Sequence, residues 1–256
     1  MASRASPNDD DGEPHPLLQW VDDDGLPRLP ARPCSYLPDR AARERGFLAE
    51  RLDGELYHEL MDRGFRRSGD LFYATDCGAC RACTPLRVPV AEFAPSRSQR
   101  RTLRKNRDVE VQVRAPRFST STFELYCRYL AHRYPERAGD EDKEEDAAQF
   151  RERHYRAVVD TREVVYSLHG ETVAVSLVDV CSRSVSAVYH FYEPAHRDRS
   201  LGVFSVLAEI EWARSIGVPW YYLGYWVEGS RSMHYKADYR PHEVLRSGQW
   251  QRVDER

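Results

Sequence analysis

Three cysteines fall in the run Cys77-Gly-Ala-Cys80-Arg-Ala-Cys83, and Cys34 stands upstream as a fourth. Two thiolates three residues apart can grip one tetrahedral zinc ion or the iron of a cluster. The four are therefore candidate ligands of a structural Zn²⁺ or Fe–S group, against the alternative of buried or incidental thiols. Gly64-Phe65-Arg66-Arg67-Ser68-Gly69 sets two arginines between glycines. A planar guanidinium there suits a carboxylate, although surface arginines beside a helix stop would look the same. The segment 97–107, RSQRRTLRKNR, carries Arg97, Arg100, Arg101, Arg104, Lys105 and Arg107, a pattern that neutralises phosphates or simply solvates a helix face. Tyr221-Tyr222-Leu223-Gly224-Tyr225-Trp226, followed by Met233-His234-Tyr235-Lys236, is an aromatic-dense strand and loop. Aromatics beside a basic groove stack on bases; alternate positions of a strand more often fill a core. Only some of Tyr222, Tyr225 and Tyr235 are thus expected to line a cleft. The histidines are scattered, and no nucleophile–base motif, Walker A loop or H-E-x-x-H helix occurs.

The frame that must position these groups has 256 residues, 41% hydrophobic, with net charge -3. No apolar stretch approaches the ~20 residues that span a bilayer, so no membrane partner is expected. The first residues lack the apolar core of a secretory signal, and six cysteines are too sparse for a disulfide scaffold, so a reducing, cytoplasmic setting is expected. Net charge conceals its distribution. Residues 8–24 carry seven acids and no Lys or Arg, and residues 136–146 carry seven acids against Arg137 and Lys143. Between them, residues 63–117 hold thirteen basic and five acidic residues, a balance of +8. That segment, not the total, is the expected nucleic-acid surface.

Residues 1–33 read as a flexible acidic arm. Asp53 is placed to cap a helix ending at Gly64, and 71–73 and 109–113 read as strands. Ser121 and Glu124 form a capping-box pattern ahead of helically spaced Phe123, Tyr126, Cys127 and Leu130. The polar stretch 135–148 reads as a mobile loop. A helix over 150–160 then leads to strands at 162–168, 171–180 and 184–192, a helix opening at Ser200 and stopping at Gly217, and a strand at 218–223.

This α/β order, meander then helix then strand, resembles the acyltransferase core of the GNAT superfamily. In that fold the helix after the central strand offers its free N-terminal amides to a phosphate or acyl group. The usual glycine-rich pyrophosphate loop is missing; Arg199-Ser200-Leu201-Gly202 stands in its place, which disfavours coenzyme A. Longer blocks carry a more specific resemblance: CSYLPDRAAR (34–43), LMDRGFRRSGDLFY (60–73), the run from Cys77 to Asp108, SAVYHFYEP (186–194), RSLGVFSVLAEIE (199–211) and the segment 221–245. Together they resemble the bacterial aspartate/glutamate leucyltransferases, relatives of the eukaryotic arginyl-tRNA–protein transferases. The resemblance runs from Cys34 to Trp250.

It implies a cytoplasmic aminoacyltransferase that moves leucine from Leu-tRNA to the N-terminal Asp or Glu of proteins, marking them for N-degron degradation. It also implies a GNAT-like domain over 119–256, preceded by a region over 34–118 that is a degenerate GNAT-like half. Under this reading the amides of Ser200, Leu201 and Gly202 serve the acyl oxygen or the terminal adenosine phosphate. Arg66, Arg67 and Arg97 read the acceptor's acidic side chain. Arg100, Arg101, Arg104, Lys105 and Arg107 contact tRNA phosphates. Tyr222, Tyr225, Tyr235 and Lys236 shape the cleft or handle the proton. Cys34, Cys77, Cys80 and Cys83 match the family's metal- or cluster-binding cysteines in place but not in spacing, and no cofactor is required for the chemistry. Alternatives are arginine as donor, a coenzyme A-dependent N-acetyltransferase and a zinc-dependent RNA-binding module.

Overall fold

The computed structural model describes residues 15–135, 146–156 and 158–254. Its elements are, in chain order, α1 (Pro16–Asp22), β1 (Arg32–Pro33), β2 (Ala41–Ala42), β3 (Glu44–Leu48), α2 (Gly54–Asp62), β4 (Arg66–Ser68), β5 (Leu71–Thr75), β6 (Cys83–Pro89), α3 (Arg97–Lys105) and β7 (Val109–Arg114). There follow α4 (Thr120–Arg133), α5 (Ala147–Tyr155), β8 (Thr161–Leu168), β9 (Glu171–Cys181), β10 (Ser184–Tyr192), α6 (Leu201–Ser215), β11 (Trp220–Val227), β12 (His242–Arg246) and β13 (Gln249–Val253).

Eight strands form one mixed sheet in the order β13-β12-β6-β11-β10-β9-β8-β7. Every neighbouring pair is antiparallel except β10 and β11, which run parallel with α6 as their crossover. The strand alternation that puts Ala174 and Val178 of β9 against α6 turns Val175 toward α4 and α5 on the opposite face. α3 packs beside α6 on the first face, and α2 lies on the second. A smaller antiparallel sheet, β3-β5-β4, packs with α1 and α2 around a core of Leu18, Leu56, Leu60, Phe65 and Phe72.

Two sequence expectations change. Residues 16–22 are a helix, not part of a flexible arm: apolar Leu18 and Val21 bury one face of α1, and the acids beyond it pair with arginines, Asp22 with Arg63 at 2.9 Å and Asp24 with Arg28 and Arg45. Residues 1–14 and the acidic loop at 136–145 lie outside the described residues. β6 and β7, from the region before residue 118, are strands of the large sheet, and the rest of that region builds the three-stranded sheet. α4 is capped by Ser119, whose side chain accepts from Thr122 N at 3.1 Å, two residues ahead of the expected Ser121 box. α3 has a full capping box instead, formed by Ser96 and Gln99.

Candidate active site

β10 and β11 pair over only three residues, Ser184–Ser186 against Trp220–Tyr222. Beyond these both strands are irregular, β10 at Ala187/Tyr189 against β9 and β11 at Tyr222/Gly224 against β6, and their pairing stops. Two parallel strands that part in mid-sheet leave backbone groups without ladder partners, and a side chain fills that role here. Arg66, entering from β4, donates from its guanidinium to Ala187 O. Gly224 sits at φ +89°, and a Cβ there would meet Lys236 Nζ at 3.2 Å and the Arg66 guanidinium at 3.5 Å. Only glycine suits both the backbone angle and the crowding.

Arg66 and Lys236 are thus neighbouring buried cations, 9% and 8% exposed, and among the described residues neither has a carboxylate partner. Burial, with the Arg66 charge beside it, pushes the Lys236 ammonium down to about 7. A buried charge is normally paired, so two unpaired ones side by side form a ready seat for an anion.

Arg67, expected to act with Arg66, does not. Its guanidinium forms a two-pronged pair with Asp179, at 2.8 and 2.6 Å, and donates to Gly69 O and Thr161 Oγ1. Strand alternation explains the split. Neighbours on β4 point in opposite directions, and Arg67 ties the small sheet to β9. Arg97 stands exposed in the first turn of α3, within the basic segment and outside this pair.

Ser200, Leu201 and Gly202 open α6. Ser200 occupies the left-handed region at φ 55°, ψ 47°, and its side chain makes no capping bond. The first bonds of the helix run from Val203 and Phe204 to Ser200 O, so the Leu201 and Gly202 amides precede the ladder. A strained non-glycine residue just before such free donors is a feature of functional turns. The turn is held from α3: Asn106 donates to Arg199 O at 2.8 Å, and Arg199 pairs with Asp108 at 2.8 Å. The exposed basic helix is thereby docked against the start of α6. Arg100 donates to Pro95 O and Lys105 to Asp198 O, while among the described residues Arg101, Arg104 and Arg107 have no acidic partner.

The tyrosines divide by face. Tyr222 points to α2, where its hydroxyl donates to Asp62 and accepts from Arg87 at 3.2 Å. Arg87 is itself sandwiched between the Trp220 and Trp250 rings at 3.8 and 4.1 Å. That cluster is built for packing and leaves Tyr222 no free hydroxyl for proton transfer. Tyr225 is also buried, donating to Gly64 O at 2.8 Å, and burial raises its phenol well above the usual value. Tyr235 remains 40% exposed on the short helix 234–238.

Cys34, Cys77, Cys80 and Cys83 do converge, lining one cavity of about 60 Å³ with Tyr36 and Tyr225. Their sulfurs, however, face local partners. Cys34 Sγ accepts from Leu37 N at 3.4 Å, Cys77 Sγ from Arg43 N at 3.3 Å, and Cys80 Sγ from Arg40 at 3.1 Å. Burial, reinforced by the other three thiols, pushes Cys83 up to about 12. Among the described residues no three Cys, His, Asp or Glu side chains come together as a metal-holding group. The expected ligands share a place without forming a cage.

Sequence reasoning passed over Glu209, whose buried carboxylate beneath α6 accepts from the Tyr166 and Tyr221 hydroxyls. Glu209 carried a signal: it is an acid in helical register with buried Val206, Ile210 and Ala213. Asp179, an acid inside the apolar run of β9, carried another.

The parallel strands of this α/β sheet thus part beside the start of α6, with a basic helix docked there. Two family models match, "Arginine-tRNA-protein transferase, N terminus" over residues 32–101 and "Arginine-tRNA-protein transferase, C terminus" over 121–246. The chain belongs to the arginine-tRNA-protein transferase family. Among its relatives, the aspartate/glutamate leucyltransferase of Stenotrophomonas maltophilia (strain R551-3) is 40% identical over 87% of this chain and 90% of the relative. That of Chromobacterium violaceum is 40% identical over 87% and 91%. Among solved structures, the C-terminal domain of a putative lysylphosphatidylglycerol synthetase from Agrobacterium fabrum aligns at TM-score 0.46 and 14% identity, over 81% of this chain and 65% of that one. Among the described residues no helix is long and apolar enough to cross a membrane.

Proposed function

We propose that this protein transfers leucine from Leu-tRNA to the N-terminal Asp or Glu of acceptor proteins, in the cytoplasm, as a step in N-degron marking. The name of its relatives supports the donor and acceptor, and the fold is read as GNAT-like from the parting of β10 and β11 around α6. The observation that carries the reading is the pair of buried cations, Arg66 and Lys236, with no carboxylate of their own. An acceptor Asp or Glu side chain completes them. An acceptor beginning with Lys brings a third cation to the same place and is rejected.

The chemistry asks little beyond placement. An α-amine titrates near ~7.7–8.0, so a useful fraction is neutral at physiological pH. The amine attacks the ester carbonyl, a C–N bond forms, and the C–O bond to the ribose breaks. The Leu201 and Gly202 amides stand to stabilise the developing oxyanion or bind the adjacent phosphate. Holding both reactants at the parted strands supplies much of the remaining acceleration. No step is routed through a metal or cluster at the cysteines. Tyr235, exposed beside Lys236, forms part of the rim.

The basic helix supplies the polyanion contact. Replacing Arg100 and Arg104 with alanine is expected to reduce the slope of log K against log salt for tRNA binding by about 1 per side chain removed. An unchanged slope would move the tRNA off α3. The direct test of the function is transfer of labelled leucine from Leu-tRNA to a peptide beginning with Glu.

A further inference from the structure

Across the β6 edge of β11 lies an open groove of about 480 Å³ that the reading above leaves without an occupant. Its floor comes from the large sheet. Thr84 of β6 and Trp226 of β11 are register partners, and Arg246 ends β12. Arg40, Arg81 and Glu228 stand around them on loops. Arg40 also lines the cysteine cavity, as Tyr225 does, so the two hollows adjoin.

Three features set this groove beside the pair of buried cations, on the path of an acceptor chain. The first is its face. Leu86 and Val244 belong to the core beneath α6 and Trp226 packs against it, so strand alternation sets Thr84 and Arg246 on that same side of the sheet. The second is direction. β10 and β11 run parallel, and Trp226 and Glu228 therefore lie toward the end of the sheet at which α6 begins. The third is reach. A strand rises about 3.3 Å per residue, which puts Trp226 roughly 7 Å beyond Gly224, the position that Lys236 and Arg66 crowd. An extended acceptor has the same repeat. With its first carboxylate on that cation pair, its second to fourth residues reach across the groove.

Charge selects what those residues are. Arg40, Arg81 and Arg246 are exposed, and among the described residues none of them has a carboxylate partner. Arg40 donates to Cys80 Sγ and Arg81 to Cys80 O, each at 3.1 Å, while the Arg246 guanidinium is unengaged among the described residues. Glu228 is the one acid lining the groove. In an extended peptide, side chains alternate with backbone N–H groups, so acids can meet the arginines while an N–H meets Glu228. A phosphodiester strand repeats its negative charge at every nucleotide and donates nothing from its phosphates, so Glu228 opposes it.

We propose that this groove holds the second to fourth residues of the acceptor and favours acidic side chains among them. The proposal rests on the transfer reading above and extends it, since that reading assigns only the acceptor's first residue.

Three Glu-initiated peptides test this, their next three residues being all Asp, all Gln or all Lys. The kcat/KM for leucine transfer is expected to fall in that order, through KM, by about 2–5-fold for each contact between an acid and an exposed arginine that is lost. Added salt should narrow the spread. Arg246→Gln and Arg81→Gln, both at exposed positions, should each lower the ratio of the all-Asp to the all-Lys value by about 2–5-fold. A general loss of active protein does not move that ratio. Equal kcat/KM for the three peptides, or a ratio that both variants leave unmoved, overturns the proposal. So does a variant that weakens Leu-tRNA binding and leaves the ratio alone, which would place RNA in the groove. Failure of the unaltered protein to transfer leucine to any of the three peptides overturns the transfer reading, and the groove's role with it, so the two failures are distinguishable.

Discussion

Arg66→Met is expected to lower kcat/KM for peptides beginning with Asp or Glu by about 10²–10³-fold and to change folding stability by no more than about 1–3 kcal/mol. The two halves of that expectation come from one fact. The Arg66 guanidinium is buried beside a second cation, Lys236, and its described hydrogen-bond partners are Ala187 O and the Met61 sulfur. A buried charge without a counterion is a cost to the folded protein; methionine of similar length relieves it while leaving Ala187 O without its donor, and the two effects oppose. The same guanidinium meeting an acceptor carboxylate forms charge-assisted bonds worth about 1.5–3 kcal/mol each, and two of them at the lower end of that range correspond to the stated loss. Lys236→Met should act in the same direction. The measurements are steady-state kinetics with acidic peptides and a melting curve. Undiminished transfer, or a large loss of stability with normal kinetics, would assign Arg66 to the architecture.

Asp179→Ala is expected to do the reverse, costing about 3–5 kcal/mol of stability. The Asp179 carboxylate is fully buried, receives both prongs of Arg67 and accepts from Thr161 Oγ1 at 2.8 Å. Removing it strands the Arg67 guanidinium in the interior between β4 and β9. The combined change Arg67→Met with Asp179→Leu should recover much of the loss, because a well-packed apolar pair replaces a buried ion pair at little net cost. Urea denaturation of the two variants beside the unaltered protein checks this. If Asp179→Ala unfolds like the unaltered protein, the pair is not the tie between the two sheets.

Adjacent residues of identical type therefore have opposite fates, and this marks the limit of what the sequence discloses. Arg66-Arg67 reads as one cationic feature in the chain. Only the pleat of β4, and the distant β9 and β10 it meets, separates a candidate ligand contact from a structural one. Local patterns were legible: the register of α6 with its stop at Gly217, the β8–β10 meander, and the Asp53 cap, whose carboxylate accepts from Leu56 N at 2.8 Å. The blocks that carry the family resemblance were legible too. Long-range pairings were not. β6 ends at Pro89 yet lies between β11, which begins at Trp220, and β12, which begins at His242, and nothing in CTPLRVP states those neighbours. The acidic stretch before residue 33 was read from composition alone, and the short apolar pattern of Leu18 and Val21 within it was outweighed. In the aromatic run 221–226 the spacing does not say which rings line a cleft and which fill the core; Tyr221 supports Glu209 and Tyr222 supports Arg87 on opposite faces of one strand.

Donor and acceptor identity is the centre of the account, and one competition assay addresses both. The unaltered protein is offered Leu-tRNA, Arg-tRNA and Phe-tRNA, each with peptides beginning with Glu, Asp or Lys. Leucine should pass to the Glu and Asp peptides and not to the Lys peptide. Transfer of arginine in preference to leucine, or no leucine on the Glu peptide, would contradict it.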